Sequence, residues 1–362
     1  MTDKEHTALL LRTAGAPLEV ASRPTPTPSP NQILIRNRAV ALNPVDIHIA
    51  QTGYILGPHG WPVVMGNDGA GDIAALGEGV AGWQVGDKVF YQSGFEPNRG
   101  TFQELTIADA VRIARIPAGM SYEQAATVPL AFATAAIGAY KPRSERLLVH
   151  NKHDVGGAGL TPPWEAKGRG KYAGKPALIM SGSSSVGQFA IQLAKLSGFD
   201  PIITTASKRN EGLCKSAGAT HVLDYRDVPY AELSGVVVGI IGDAPLEYIY
   251  DAVSSKESQK ADWDMLAPGG AMVVVAPPSE AVGTPGKDDD RGRRVVWVFG
   301  NVNDPEHEEI GTCMYAVLTE MLEKGKIKPS QVDSLGHGLE TISGGLQKLK
   351  KGVSGVKLVA SL

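Results

Sequence analysis

The run Ser181-Gly182-Ser183-Ser184-Ser185-Val186-Gly187 lies between an apolar stretch that begins at Ala177 and an amphipathic pattern over Val186 to Leu196. A strand, a turn of small residues and a helix start, in that order, form a cradle for a pyrophosphate. The first helical N–H groups and the positive end of the helix dipole face the anion, and small residues let the backbone come close. Ser183, Ser184, Ser185 and Val186 are predicted to make this contact, the serine hydroxyls adding donors. The full G-x-G-x-x-G fingerprint is missing, so the run by itself also fits an ordinary strand-to-helix turn. The end of the next apolar stretch, Thr204-Thr205-Ala206-Ser207-Lys208-Arg209, sharpens the reading. A site for NAD places an acid there against the ribose 2′-hydroxyl. Here Ser207, Lys208 and Arg209, with Asn210 next in line, suit a 2′-phosphate, which predicts NADPH over NADH. A plain basic helix start is the alternative, and the helix dipole disfavours it unless an anion is held.

Metal chemistry finds few ligands. Cys214 and Cys313, the only cysteines, stand far apart with no second Cys or His at ligand spacing. Neither a disulfide framework nor a thiolate zinc site follows from them. His48, His59, His150 and His153 belong to no H-E-x-x-H pattern and are read as surface or loop histidines.

The elements that must position these groups fit two domains, the expectation for 362 residues. The composition, 43% hydrophobic and 20% charged with 43 glycines and 24 prolines, is that of a globular protein with many tight turns. A formal net charge of -3 and no concentrated basic face argue against a nucleic-acid partner. No apolar stretch approaches bilayer-spanning length, so no membrane role is expected. The N-terminal residues lack a signal-peptide core and read as cytosolic.

Segments Ala8 to Leu11, Gln32 to Ala41 and Gly69 to Leu76 read as strands of a β-rich first domain, with Arg23 to Pro30 as an extended surface connection. Ser121 caps a helix, and an Ala-rich helix follows Pro129. The polar, Gly-rich stretch of about 142–175 reads as an exposed insertion whose basic run Lys167 to Lys171 is a solvated loop or, alternatively, a docking point for an acidic partner. Beyond it strands and helices alternate as in a doubly wound parallel α/β sheet of six strands. Named strands are Ala177 to Ser181, Pro201 to Thr205, His221 to Asp224, Tyr248 to Asp251 and Ala271 to Ala276. Val275 and Ala276, at a strand end by the switch point, are predicted to contact the cofactor through backbone. Residues Glu308 to Lys324 form a helix and Gly355 to Ala360 a terminal strand, a tail expected to return to the first domain. The predicted boundaries are 1–128 with 302–362, and 129–301.

Several separated motifs resemble the medium-chain dehydrogenase/reductase superfamily in its quinone and enoyl reductase branch. They are Asn43-Pro44-Val45-Asp46, Gln51-Thr52-Gly53-Tyr54, Pro62 through Gly71 and Val85-Gly86-Asp87-Lys88-Val89. Ser183 to Gln188, Ile191 to Gly198 and Asp224-Tyr225-Arg226 resemble, more narrowly, fungal secondary-metabolism reductases, including trans-acting enoyl reductases of polyketide pathways. The resemblance implies a Rossmann domain plus a GroES-like substrate-side domain. It places Pro44, Val45, Asp46 and Ile47 toward the nicotinamide, although Asp46 beside a proline equally caps a turn. It sets Thr134 at the substrate or cofactor, Tyr225 against the adenosine end, and Ser354-Gly355-Val356-Lys357 on the family's Gly-x-Lys element, with Lys357 reaching the nicotinamide or standing solvated at a strand edge. Where the family's zinc enzymes carry a ligand Cys and a Gly-His-Glu, this chain has Asn43 and Gly66-Asn67-Asp68, so no metal is expected.

The implied chemistry is hydride addition from NADPH to the β-carbon of an activated C=C, hydrogen-bond stabilisation of the enolate, and protonation at the α-carbon. Tyr54 is the candidate proton donor; water, with Tyr54 as packing or lid, is the alternative. The expected partners are a small-molecule or carrier-bound enoyl substrate and a synthase that carries it. Quinone or enone reduction on free molecules is a second reading, a non-catalytic NADPH-binding protein a third. Monomer and homodimer both remain open.

Overall fold

Strands buried on both faces of a parallel sheet read as continuous apolar runs, and the six runs here pair that way. The computed structural model describes residues 4–56 and 60–362. Its strands His221–Leu223, Ile202–Thr205, Ala177–Met180, Tyr248–Asp251, Ala271–Val274 and Arg294–Trp297 lie side by side in that order, every pairing parallel. The order reverses between Ala177–Met180 and Tyr248–Asp251, which makes this a doubly wound sheet with its ligand crevice expected beyond the strands' C-terminal ends at that point. The sheet belongs to a unit formed by Ala131–Gly300 and Lys326–Lys328.

Two helices of this unit escape a sequence reading. Tyr230–Ile241 carries Val236, Val237 and Val238, a β-branched run that reads as strand until Leu233 and Val237 are seen buried one turn apart. Lys256–Met265 is mostly charged on its outer side, and its start is marked by Ser255, whose side chain accepts from Ser258 N.

The stretch 142–175 is not one exposed insertion. His153 through Ala158 are buried, because the segment closes the outer edge of the last strand. Asp154 N donates to Trp297 O at 3.0 Å and Trp297 N donates back to the Asp154 carboxylate at 2.7 Å. His153, expected at the surface, is 5% exposed, with its ring 3.9 Å from that of Trp297. His48 and His150 are exposed; His59 lies outside the described residues. Lys167, Arg169 and Lys171 are exposed as expected.

The other unit comprises Met1–Leu130, Asn301–Gly325 and Pro329–Leu362. Among the described residues its larger sheet has seven strands, and three of them set the site. Gln32–Ala41 pairs antiparallel with Asp68–Leu76, putting Ala41 opposite Asp68, and Val356–Ser361 pairs antiparallel with Gln32–Ala41 on its other side. Gly71 is needed where the first pair approaches most closely, since a Cβ there would strike Arg36 O. The helix Glu308–Glu323 buries Met314, Leu318 and Met321 as its periodicity predicts. Among the described residues no helix is long and apolar enough to cross a membrane.

Candidate functional site

The predicted site residues fall into two groups, one in each unit. In the parallel-sheet unit the small-residue turn opens the helix Ser185–Ser197 with Ser184 as N-cap. The Ser184 hydroxyl is spent on the turn itself. It donates to Ser181 O at 2.8 Å and accepts from Gly187 N at 3.0 Å, so it is not a phosphate donor. What remains for an anion are the N–H groups of Ser185 and Val186 in the first helical turn and the half-buried hydroxyls of Ser183 and Ser185. Two glycines make the cradle. A Cβ on Gly182 would strike the Thr204 hydroxyl, and one on Gly187 would strike Ser181 O.

At the next strand end, Ser207 is buried and its hydroxyl accepts from Asn210 Nδ2 at 3.2 Å, while Lys208 and Arg209 project outward. Lys208 to Asn210 form a short 3-10 turn ahead of the helix Glu211–Ala217. Sequence reasoning missed two residues here. Asp224 follows the neighbouring strand His221–Leu223, and its oxygens accept from Lys208 N at 2.8 Å and Arg226 N at 3.0 Å, so it ties the two strand ends together. Arg226 adds a third basic group, its guanidinium 5.5 Å from the Tyr225 ring centroid, with Tyr225 half exposed. Lys208 already has a partner in Glu211 at 2.8 Å, so the basic helix start keeps some local support.

Val275 and Ala276 lie just past the strand Ala271–Val274 and are partly exposed. Their backbone is held by a turn the sequence did not advertise. Asp251 accepts from Val253 N and Ser254 N, and Ser254 Oγ accepts from Val275 N at 2.9 Å. Thr134 sits 8% exposed on the helix Pro129–Tyr140, and a Cβ on Gly300 would strike its hydroxyl, so the backbone at Gly300 covers it.

In the other unit, Asn43 begins the helix Pro44–Thr52, and Gly53 ends it in the left-handed region with φ 72. Pro44, Val45 and Ile47 are partly or fully exposed along it. Tyr54 follows directly, its backbone N donating to Thr52 Oγ1 at 3.2 Å and its ring meeting that of His48 edge-on at 4.7 Å. Burial raises its phenol pKa, so Tyr54 keeps its proton at neutral pH. Ser354 is half-buried and Gly355 takes φ 75 before the last strand.

Two residues expected at the cofactor are turned inward instead. Asp46 is fully buried, its oxygens accepting from Asn43 N at 2.8 Å and Asn67 Nδ2 at 3.1 Å, which is the turn-capping alternative. Lys357 is neither solvated nor extended toward a ligand. It is 4% exposed, its ammonium bonded to Asn43 Oδ1 and 3.0 Å from the Asp68 carboxylate. Asp68 in turn accepts from Asn43 Nδ2 at 2.8 Å and from Leu130 N at 2.6 Å.

Desolvation, with the nearby Asp68 charge adding to it, pushes the Asp46 carboxyl up to about 7 from its ordinary 3.8. Between those two pH values the folded chain keeps a proton that the unfolded chain has released. The contribution of Asp46 to stability is therefore expected to fall as pH rises from 4 to 7. Asp46→Asn removes that contribution, since Asn67 Oδ1 has no partner among the described residues and its amide can turn to receive the new one. Relative to the parent chain, Asp46→Asn should gain on the order of 3 kcal/mol on going from pH 4 to pH 8. Urea unfolding at the two pH values measures this, and parallel curves would show that Asp46 is ionised throughout.

A family model described as alcohol dehydrogenase GroES-like domain matches residues 29–118, and one described as zinc-binding dehydrogenase matches residues 185–307. A dehydrogenase of Aspergillus niger is 32% identical over 95% of both chains. A trans-enoyl reductase of Aspergillus flavipes is 32% identical over 99% of both. A mycobacterial protein solved as its NADPH complex superposes with a TM-score of 0.72 at 21% identity, covering 99% of this chain and all of that one.

The turn fits a dinucleotide pyrophosphate: its helix offers unpaired N–H groups, and glycines at 182 and 187 let the turn pack tightly against Thr204 and Ser181 O. The positions matching the family's metal ligands do not fit zinc. Asn43 and Asn67 offer amides where thiolate and imidazole are needed, and an ammonium already faces Asn43 and Asp68. Among the described residues no group of three or more His, Cys, Asp or Glu is placed to hold a metal.

Proposed function

Because the chain belongs to the medium-chain dehydrogenase/reductase family of oxidoreductases, we propose that it is a zinc-free, NADPH-dependent enoyl reductase of secondary metabolism acting on substrate carried by a separate synthase. The observation that carries the reading is the donor set at Asn43, Asn67 and Asp68. Amides and a lysine-paired carboxylate supply no Lewis acid to polarise an alcohol or carbonyl, whereas adding hydride to a conjugated C=C needs positioning and a proton. The trans-enoyl reductase relative, matched end to end, supports the same substrate class.

NADPH, when bound, supplies the hydride. The protein's part is to hold the pyrophosphate on Ser185 and Val186 N–H with the Ser183 and Ser185 hydroxyls, to receive the 2′-phosphate among Lys208, Arg209 and Arg226 beside Tyr225, and to offer the Tyr54 proton to the α-carbon. The basic run Lys167 to Lys171 is a poor point for substrate delivery. Gly170 N and Tyr172 N bond to Leu196 O and Ser197 O at the far end of the helix Ser185–Ser197, about 20 Å of helix from the pyrophosphate cradle at 1.5 Å per residue. The closed outer edge of Arg294–Trp297 supports a monomer.

The test is NADPH oxidation by the chelator-treated protein against enoyl thioesters, enones and quinones. Turnover of enoyl thioesters is expected. Turnover of quinones alone would move the function to free-molecule reduction, and NADPH binding with no turnover would remove catalysis. Lys208→Ala with Arg226→Ala is expected to raise the KM for NADPH by about 30-fold and leave that for NADH unchanged, two charged hydrogen bonds being lost. Equal losses for both cofactors would show that these groups do not read the 2′-phosphate.

A further inference from the structure

The cluster that disqualifies zinc has a positive charge of its own. We propose that the Lys357 ammonium is the resident cation of this site, a structural charge that ties together the segments around Asn43 and Asp68 and leaves no place for a divalent metal. Lys357 comes from the terminal strand Val356–Ser361 and is carried inward by the pairing of that strand with Gln32–Ala41. Its side chain is 5% exposed and that of Asp68 is 0% exposed. Its ammonium bonds to Asn43 Oδ1, and Asn43 Nδ2 closes the triangle on Asp68 at 2.8 Å. The free lone pairs of Asp68 take Leu130 N at 2.6 Å, the entry to the helix Pro129–Tyr140. Asn43 N and Asn67 Nδ2 meet on Asp46 at 2.8 and 3.1 Å. One ammonium thus fixes the start of the helix Pro44–Thr52, the start of the strand Asp68–Leu76 and the start of Pro129–Tyr140.

The groups that face it are the Asp46 and Asp68 carboxyls and the Asn43 and Asn67 amides, with the Tyr315 hydroxyl committed to Gln92 N at 2.7 Å. A divalent ion entering here meets a buried like charge with no water to screen it. Removing the lysine does the opposite damage: it leaves Asp68 buried, charged and uncompensated.

The inference rests on the same zinc-free cluster as the enoyl reductase reading, but its readouts are stability and metal content, so it can fail while NADPH-dependent turnover of enoyl thioesters still holds. Lys357→Met, which keeps the chain's bulk and loses the charge, is expected to lower the thermal midpoint by roughly 10 °C. Adding Asp68→Asn to Lys357→Met should recover part of that loss, since no lone charge is then buried. If the single variant does not fold, recovery of soluble protein in the double variant carries the same result. Wild-type protein exposed to zinc and desalted should hold far less than one zinc per chain. The proposal fails if zinc is retained at one per chain and is lost in Asp68→Asn, if Lys357→Met is as stable as the parent, or if the double variant is no better than the single.

Discussion

Gly187→Ala is expected to weaken NADPH binding by about 100-fold and to lower stability by about 2 kcal/mol. The added Cβ would strike Ser181 O and lie 2.9 Å from Gly182 Cα, both backbone atoms of the turn proposed to receive the pyrophosphate. Neither can give way easily. Ser181 takes the left-handed region at φ 55, unusual for serine, and its carbonyl is held by Ser184 N at 2.9 Å and Ser184 Oγ at 2.8 Å. Gly182 is held by its own N–H, which donates to Thr205 O at 3.0 Å. The turn must therefore open, and the N–H groups of Ser185 and Val186 lose their common aim, which an anion site of this kind cannot tolerate. Ser183→Ala is the control: it removes one hydroxyl without moving backbone and should cost only a few-fold. Titration of the two variants with NADPH, read by nicotinamide fluorescence, separates them. Unchanged affinity in Gly187→Ala would mean that the cofactor does not sit on this helix.

The same turn shows how far the sequence could be read. Its place between an apolar strand and an amphipathic helix is a local pattern, so the strand, turn and helix start were legible from Ala177 to Gly187. The spending of Ser184 was not, because three adjacent serines look alike until one adopts the N-cap geometry. The parallel sheet was legible for the same local reason, each strand being a short apolar run. Arg294–Trp297 was the exception, since the Asp- and Arg-rich lead-in before it hides an edge strand whose outer side is closed by residues about 140 positions earlier. Lys357 marks the real limit. Nothing near it in sequence tells a solvated strand lysine from a buried one, and its partners Asn43 and Asp68 are brought in by strand pairings across nearly the whole chain. Arg226 and Asp224 were likewise hidden, because their relation to Lys208 exists only once His221–Leu223 pairs beside Ile202–Thr205.

Tyr54→Phe is expected to lower kcat by about 100-fold with the dissociation constant for NADPH unchanged, the loss typical of removing a positioned general acid. The helix end explains why Tyr54 can act this way. Gly53 at φ 72 turns the chain out of the helix with its N–H returned to Ile49 O at 2.8 Å, and Tyr54 is the first side chain beyond that turn. The edge-on contact with His48 sets the plane of its ring. Desolvation raises the phenol pKa, so the group is protonated across the neutral range, and any rate that depends on it is present at low pH and lost only as pH rises through that raised value. The variant should abolish that alkaline limb as well as lower the rate, and the two effects together distinguish a proton donor from a lid. A lid would change the KM for substrate and leave the pH profile in place. If kcat and its pH profile both survive in Tyr54→Phe, the α-carbon takes its proton from water and the tyrosine serves only to close the ring's end of the site.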